Sequence, residues 1–275
     1  MRCRARGIPR PIRRPRVLPD AHPPRHPRPA RPMSVIAALL VAGIGVLIGT
    51  VGLGGFLLVP VLVYLEGASV RDAVVVAALA FLTAGLLSFA LAKRRADLTL
   101  RPHHAFLLST APGAILGALV VSRLVDGTLA IVIAGAFALA GIAEWFGLPR
   151  DAQARRSTAT TNLAGGLATG FGSALTGTSG PMVAMPLLAW LGLPIRQRIV
   201  LGQIAQVPIA LGATLAFLSL REVPLRLAAF TSLALCAGLL VGALTTPAVG
   251  AHWLRRVAAL LMLGAAASML VKAHG

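Results

Sequence analysis

Two stretches of this 275-residue chain, Ser34–Leu65 and Ser157–Ile195, contain no charged side chain over 32 and 39 residues. At the helical rise of about 1.5 Å per residue they would measure about 48 and 58 Å, against a bilayer hydrocarbon core of about 30 Å. Neither fits one straight span, so each must tilt, break or fold back. Glycine concentrates in both: Gly43, Gly45, Gly49, Gly52, Gly54 and Gly55 in the first, and Gly165, Gly166, Gly170, Gly172, Gly177 and Gly180 in the second. Inside a helix glycine costs about 1 kcal/mol and proline about 3 kcal/mol relative to alanine. Both runs therefore read as discontinuous helices, with Pro60, Pro181 and Pro186 as the helix-breaking prolines.

The rest of the chain is read in the same way. An arginine or lysine at a bilayer centre costs about 2.5 to 3.5 kcal/mol, so charges mark the ends of spans. The charge-free segments Ala73–Ala92, Pro102–Ser122, Gly127–Ala143, Ile199–Leu220 and Leu227–Leu254 are long enough to cross a bilayer, and Val257–Val271 is a shorter candidate. Composition agrees: 57% of residues are hydrophobic and 12% charged, where a soluble domain has about a quarter charged. An ordinary soluble enzyme, a disordered chain and a disulfide-stapled secreted module are excluded.

An internal duplication accounts for there being two long runs. A shift of 125 residues places Gly67 on Gly192, Arg71 on Arg196, Val75 on Val200, Leu100-Arg101 on Leu225-Arg226, and Gly113-x-x-x-Gly117-Ala118-Leu119 on Gly238-x-x-x-Gly242-Ala243-Leu244. With one residue of slippage, Gly52–Pro60 falls on Thr178–Pro186. The expected fold is an all-α integral membrane protein of about eight transmembrane segments, in two tandem four-segment repeats that each begin with a broken glycine-rich helix. The first repeat spans residues 34–147, a polar linker 148–160 and the second repeat 161–275. If each long run makes one net crossing, Lys93-Arg94-Arg95, Arg101, Arg150, Arg155, Arg156, Arg221 and Arg226 share one side with the N-terminus. The positive-inside rule then places both termini in the cytoplasm.

The +18 net charge would suggest an acidic partner, but ten arginines against one acid lie in residues 1–33, among nine prolines. This tail cannot pack a core. It reads as a disordered or lipid-anchoring segment, or as sequence ahead of a true initiator at Met33. The apolar run that follows has no break for a signal-peptide cleavage site. The tail also has no aromatic residue on which a base could stack, so nucleic acid is not an expected partner. Cys3 and Cys236 fit no metal or redox spacing.

Catalytic chemistry is nearly absent, and no enzyme activity, metal or cofactor is expected. Apart from Asp20 the acids lie at segment ends, His103 and His104 are adjacent, His252 and His274 stand alone, and Thr178-Ser179-Gly180 lacks the Gly-x-Ser-x-Gly frame of a nucleophile elbow. The helix breaks are the better site. An interrupted helix in a membrane leaves backbone groups that are tolerated only where they face a cavity or ligand, and half-helix N-termini favour anions. The candidate substrate-binding residues are Gly52, Gly54 and Gly55 in the first break and Thr176, Gly177, Thr178, Ser179 and Gly180 in the second. Gln203 and Gln206, buried amides that need partners, complete the set. Glu66 reads as interfacial or as part of the pathway, and Arg71 and Arg196 as anchors or anion guides. Gly113 and Gly117, like Gly238 and Gly242, read as helix-packing glycines.

The pattern Gly-x-x-Gly-x-Gly-Gly-x-x-x-x-Pro at Gly49–Pro60, its degenerate copy at Thr178–Pro186 and the two halves resemble the sulfite exporter TauE/SafE family of membrane permeases over residues 34–273. The resemblance implies a multi-pass inner-membrane protein that moves small anions, such as sulfite, sulfonates or other organosulfur anions, usually outward. The sequence departs from the pattern in having Pro181 where the first copy has Gly55. The expected partners are a small anionic substrate and the lipid bilayer. A membrane scaffold, or an anion channel without active transport, is the alternative.

Overall fold

The computed structural model describes residues 33–52, 54–93, 103–146, 158–191, 193, 195–220, 223–245 and 251–274. The basic tail before Met33 and linker residues 148–157 lie outside them. The described residues hold ten helices and no strand: α1 Val35–Val51, α2 Leu58–Leu65, α3 Val70–Lys93, α4 His104–Arg123, α5 Asp126–Phe146, α6 Ala159–Thr176, α7 Gly180–Trp190, α8 Ile195–Leu220, α9 Leu225–Leu244 and α10 Ala251–His274. A 3-10 turn, Gly55–Leu57, leads into α2.

Among the described residues five segments are long and apolar enough to span a bilayer: Val70–Leu91, His104–Arg123, Asp126–Ala143, Val200–Leu220 and Leu225–Leu244. Ala259–Ala273 in α10 is a shorter apolar stretch. Leucines such as Leu39, Leu108, Leu139 and Leu233 are about 70% exposed. A soluble protein does not sustain so much apolar surface, and lipid covers it here.

Both long charge-free runs fold back. Gly52 ends α1 in the left-handed region at φ 76°, its N–H donating to Ile48 O, and Gly54 follows at φ 127°. An L side chain rarely adopts either conformation. Gly177 ends α6 in the same way at φ 62°. After each turn the chain runs back along its own path. The Ser34 N–H and hydroxyl, at the start of α1, both donate to Glu66 Oε1 at the end of α2, at 2.9 and 2.8 Å. In the second pair, Gly172 of α6 faces Val183 of α7, and nearer the start of α6 Gly165 faces Leu191, just beyond α7.

This overturns the premise of one net crossing per run, and with it the expected grouping of basic residues. The α8–α9 junction, with Arg226, falls at the Ser34 end of the bundle, away from the C-terminal end of α3 at Lys93. The first segment of each half enters and leaves on one side. The prolines are corrected too. Pro60 sits in the first turn of α2 and Pro181 in the first turn of α7, where a missing N–H breaks no helical bond. Pro186 lies inside α7, which continues past it. The glycines, not the prolines, make the breaks.

Helix directions follow from which residues meet. Gly45 and Gly49 of α1 seat against Leu235–Leu239 and Leu239–Ala243 of α9, and Thr231 of α9 reaches Met33, so α1 and α9 start at the same end. Gly166 and Gly170 of α6 seat against Phe106 and Thr110 of α4, which makes that pair parallel as well. Gly127 and Gly141 of α5 lie against Ala273 and Leu263 of α10, an antiparallel pair. Arg71, at the start of α3, donates to Leu124 O and pairs with Asp126 at 3.8 Å, which fixes the α4–α5 turn at the Ser34 end. The main helix–helix packing pairs have counterparts when α1–α5 are exchanged with α6–α10: α1 on α9 with α6 on α4, α3 on α9 with α8 on α4, and α3 on α8 and α5 on α10 with themselves.

Candidate functional site

The two hairpin tips meet inside the bundle. A methyl added at Gly55 would lie 2.6 Å from Ser179 Cβ, closer still to Ser179 Oγ, and 2.9 Å from the Phe81 ring. One added at Gly177 would lie 2.8 Å from Val59 and 3.0 Å from Val74. The first tip is at mid-depth, because Phe56 packs edge-on against Phe137, halfway along α5, with centroids 6.1 Å apart. Only glycine lets the tips approach this closely.

Beside the second tip is a narrow, partly open cavity. Its walls come from α3, α6, α7 and α8. Most are apolar, including Val74, Phe81 and Ile209, and Gly177 and Gly180 form one edge. Three polar side chains reach it, Ser173, Thr178 and Gln206, and they are 1%, 3% and 1% exposed.

Hydrogen bonding decides what these side chains offer. The Gln206 amide Nε2 donates to Phe81 O at 3.2 Å, which leaves Oε1 buried without a partner. Thr176 donates its only hydroxyl proton to Gly172 O at 2.7 Å, so in the 2.9 Å contact between Thr176 and Thr178 the Thr178 hydroxyl must be the donor. Thr178 keeps only lone pairs. A helical serine normally satisfies its hydroxyl on a carbonyl one turn back, as Ser109, Ser122, Ser219 and Ser268 do here. Ser173 does not, and its buried Oγ has no partner. An unsatisfied buried polar group costs about 1–3 kcal/mol, and two residues carrying such groups line one cavity at the N-terminus of α7.

Comparison with known proteins gives the class. The chain matches the family described as Sulfite exporter TauE/SafE over residues 8–144 and 162–275. The chain belongs to this family. TauE/SafE proteins are membrane permeases, transporters rather than enzymes. No curated protein and no solved structure matches the chain.

Within this TauE/SafE chain, Gly177, Thr178, Gly180 and Gln206 line the cavity. Thr176 stands behind Thr178 and accepts its hydrogen bond, while Ser179 and Gly55 form the contact between the tips. Gly52 and Gly54 shape the first tip without reaching the cavity wall. Gln203, three residues from Gln206, is half-buried and off the wall. Glu66 caps α1 and Arg71 holds the α4–α5 turn, so both act as anchors. Gly113 and Gly117 seat against α6, and Gly238 and Gly242 against α1, as packing glycines. Ser173 was not singled out by sequence. Its only signal there is helical spacing, since Ser173, Thr176, Gly177 and Gly180 follow an i, i+3, i+4, i+7 pattern.

Proposed function

We propose that this permease carries small oxyanions, sulfite and sulfonates among them, outward across the inner membrane through the cavity at the second hairpin tip. The observation that carries this reading is the pair of buried, unpartnered atoms, Ser173 Oγ and Gln206 Oε1, facing one cavity beside the α7 N-terminus. Further unpartnered hydroxyls extend the polar track. Thr169 lies one turn before Ser173 on α6, and Thr214 two turns after Gln206 on α8, so they fall on opposite sides of the cavity along the bundle.

The architecture that serves this transport is, in the same reading, two inverted copies of a unit with three crossing helices, each led by a re-entrant hairpin. Three crossings per copy reverse the second relative to the first. Support comes from Phe81 and Gln206, which are 125 residues apart, the shift that aligns the two halves, and which bond to each other. Equivalent residues meet only near a two-fold axis.

Flux of labelled sulfite in proteoliposomes tests the function. A side chain at Gly180 would start 3.0 Å from Gly202 O and 3.1 Å from Ile209. Gly180→Leu is therefore expected to fill the cavity and cut flux about tenfold or more, a barrier rise of at least about 1.4 kcal/mol. A correctly inserted variant as fast as wild type rules out this cavity. Wild-type protein that moves no small oxyanion rules out the oxyanion reading and favours a scaffold.

A further inference from the structure

We infer that the cavity selects singly charged oxyanions that still carry a proton donor, hydrogensulfite rather than the sulfite dianion, and rejects dianions. This rests on the cavity being the permeation site proposed above. The cavity is short of donors. Gln206 presents Oε1, and the amide cannot be turned round, because Oε1 would then face Phe81 O with two acceptors in contact. Thr178 presents lone pairs only, its proton being committed to Thr176. Ser173 alone among the side chains has a free hydroxyl proton to give. The remaining attraction for negative charge is the N-terminus of α7, worth about half an elementary charge.

No residue lining the cavity from α3, α6, α7 or α8 is an acid, lysine, arginine, histidine, tyrosine or cysteine. A dianion would thus be buried against a half-charge and one hydroxyl. The cost of taking an ion out of water rises with the square of its charge. An anion without a proton would also set its oxygens against Gln206 Oε1 and Thr178 Oγ1. A proton on the anion turns one of those repulsions into a hydrogen bond and satisfies a buried acceptor. Since the wall itself does not titrate, any pH dependence of binding in this cavity belongs to the substrate.

The full-length protein in proteoliposomes, at equal pH inside and out, tests this with three labelled probes. Sulfite changes between its singly and doubly charged forms near neutrality, methanesulfonate is singly charged without a donor, and sulfate is doubly charged without one. Wild-type sulfite flux is expected to track the hydrogensulfite fraction and fall as pH rises. Methanesulfonate flux should be flat with pH and about tenfold slower than hydrogensulfite, the scale of one buried hydrogen bond, with sulfate slower still. Gln206→Met should cost hydrogensulfite about that tenfold and speed methanesulfonate, whose oxygens would no longer face Gln206 Oε1.

Sulfite flux that is flat or rises with pH, methanesulfonate as fast as hydrogensulfite, or a Gln206→Met variant that slows both probes alike would each overturn the inference. In those cases oxyanions still move and the permease reading survives. If no probe moves, both fail together. Should Gln206→Met not insert, the wild-type pH profile and probe ratios decide alone.

Discussion

Gly170→Ala is expected to destabilise the protein by an amount at or above the top of the range of about 1–3 kcal/mol typical of overpacking. The added methyl would lie 2.8 Å from Ala114 N and closer still to Thr110 O, both backbone atoms of α4. A flexible side chain could swing aside, but a helix backbone cannot. The parallel α4 and α6 would have to separate along their whole length, and in lipid that contact is held by close packing and not by exclusion of water. Gly113 and Gly117 approach α6 from the other side just as tightly, so the strain cannot be shed locally. Gly135→Ala and Gly264→Ala are the matched comparison, since nothing lies within 4 Å of either added methyl. Alanine's helix propensity, better by up to about 1 kcal/mol, makes them neutral or mildly stabilising. Thermal unfolding midpoints in one detergent separate the two classes. A Gly170→Ala midpoint equal to that of Gly264→Ala would remove close α4–α6 packing from the account.

Much of this could be read from the residues, and the limit has a physical cause. Charge-free length located the long helices, because a charge in hydrocarbon is expensive wherever it falls. Glycine density located the breaks for a similarly local reason. What happens after a break is not local. A chain leaving Gly52 buries the same apolar side chains whether it continues to the far surface or returns, and only the seating of α1 on α9 and of Ser34 on Glu66 selects the return. Composition likewise pooled glycines with separate jobs: Gly45 and Gly49 bring α9 close, whereas Gly52 and Gly54 turn the chain. Gln206 was visible as an amide in an apolar run. Ser173 was not, because a helical serine usually bonds its own helix, and the sequence alone does not show which one leaves its hydroxyl free. The duplication misleads here as well, since the residue equivalent to Gln206 is Phe81. Only one half of the repeat places its polar side chain in the cavity, while the other contributes a ring and a backbone carbonyl.

The meeting of the two tips makes the second large prediction, a coupled pair. Gly55→Ala alone is expected to lose about 1–3 kcal/mol, because its methyl would overlap Ser179, itself only 2% exposed and with nowhere to move. Ser179→Gly alone should lose less, about 0.5–1 kcal/mol of backbone entropy. In the double variant both the Ser179 hydroxyl and its Cβ are gone, and only the Phe81 ring at 2.9 Å still presses on the new methyl. The double variant should therefore be more stable than the sum of the single losses predicts, with a coupling energy of about 0.5–3 kcal/mol, as for residues in direct contact. Transport adds a second readout. Because Ser179 directly precedes Gly180 on the cavity edge, Gly55→Ala pushes α7 toward the cavity from outside it, and Ser179→Gly should restore part of the lost sulfite flux. Additive stability changes without restored flux would mean that the hairpins do not touch at their tips, and the cavity edge at Gly180 would then have no support from the first hairpin.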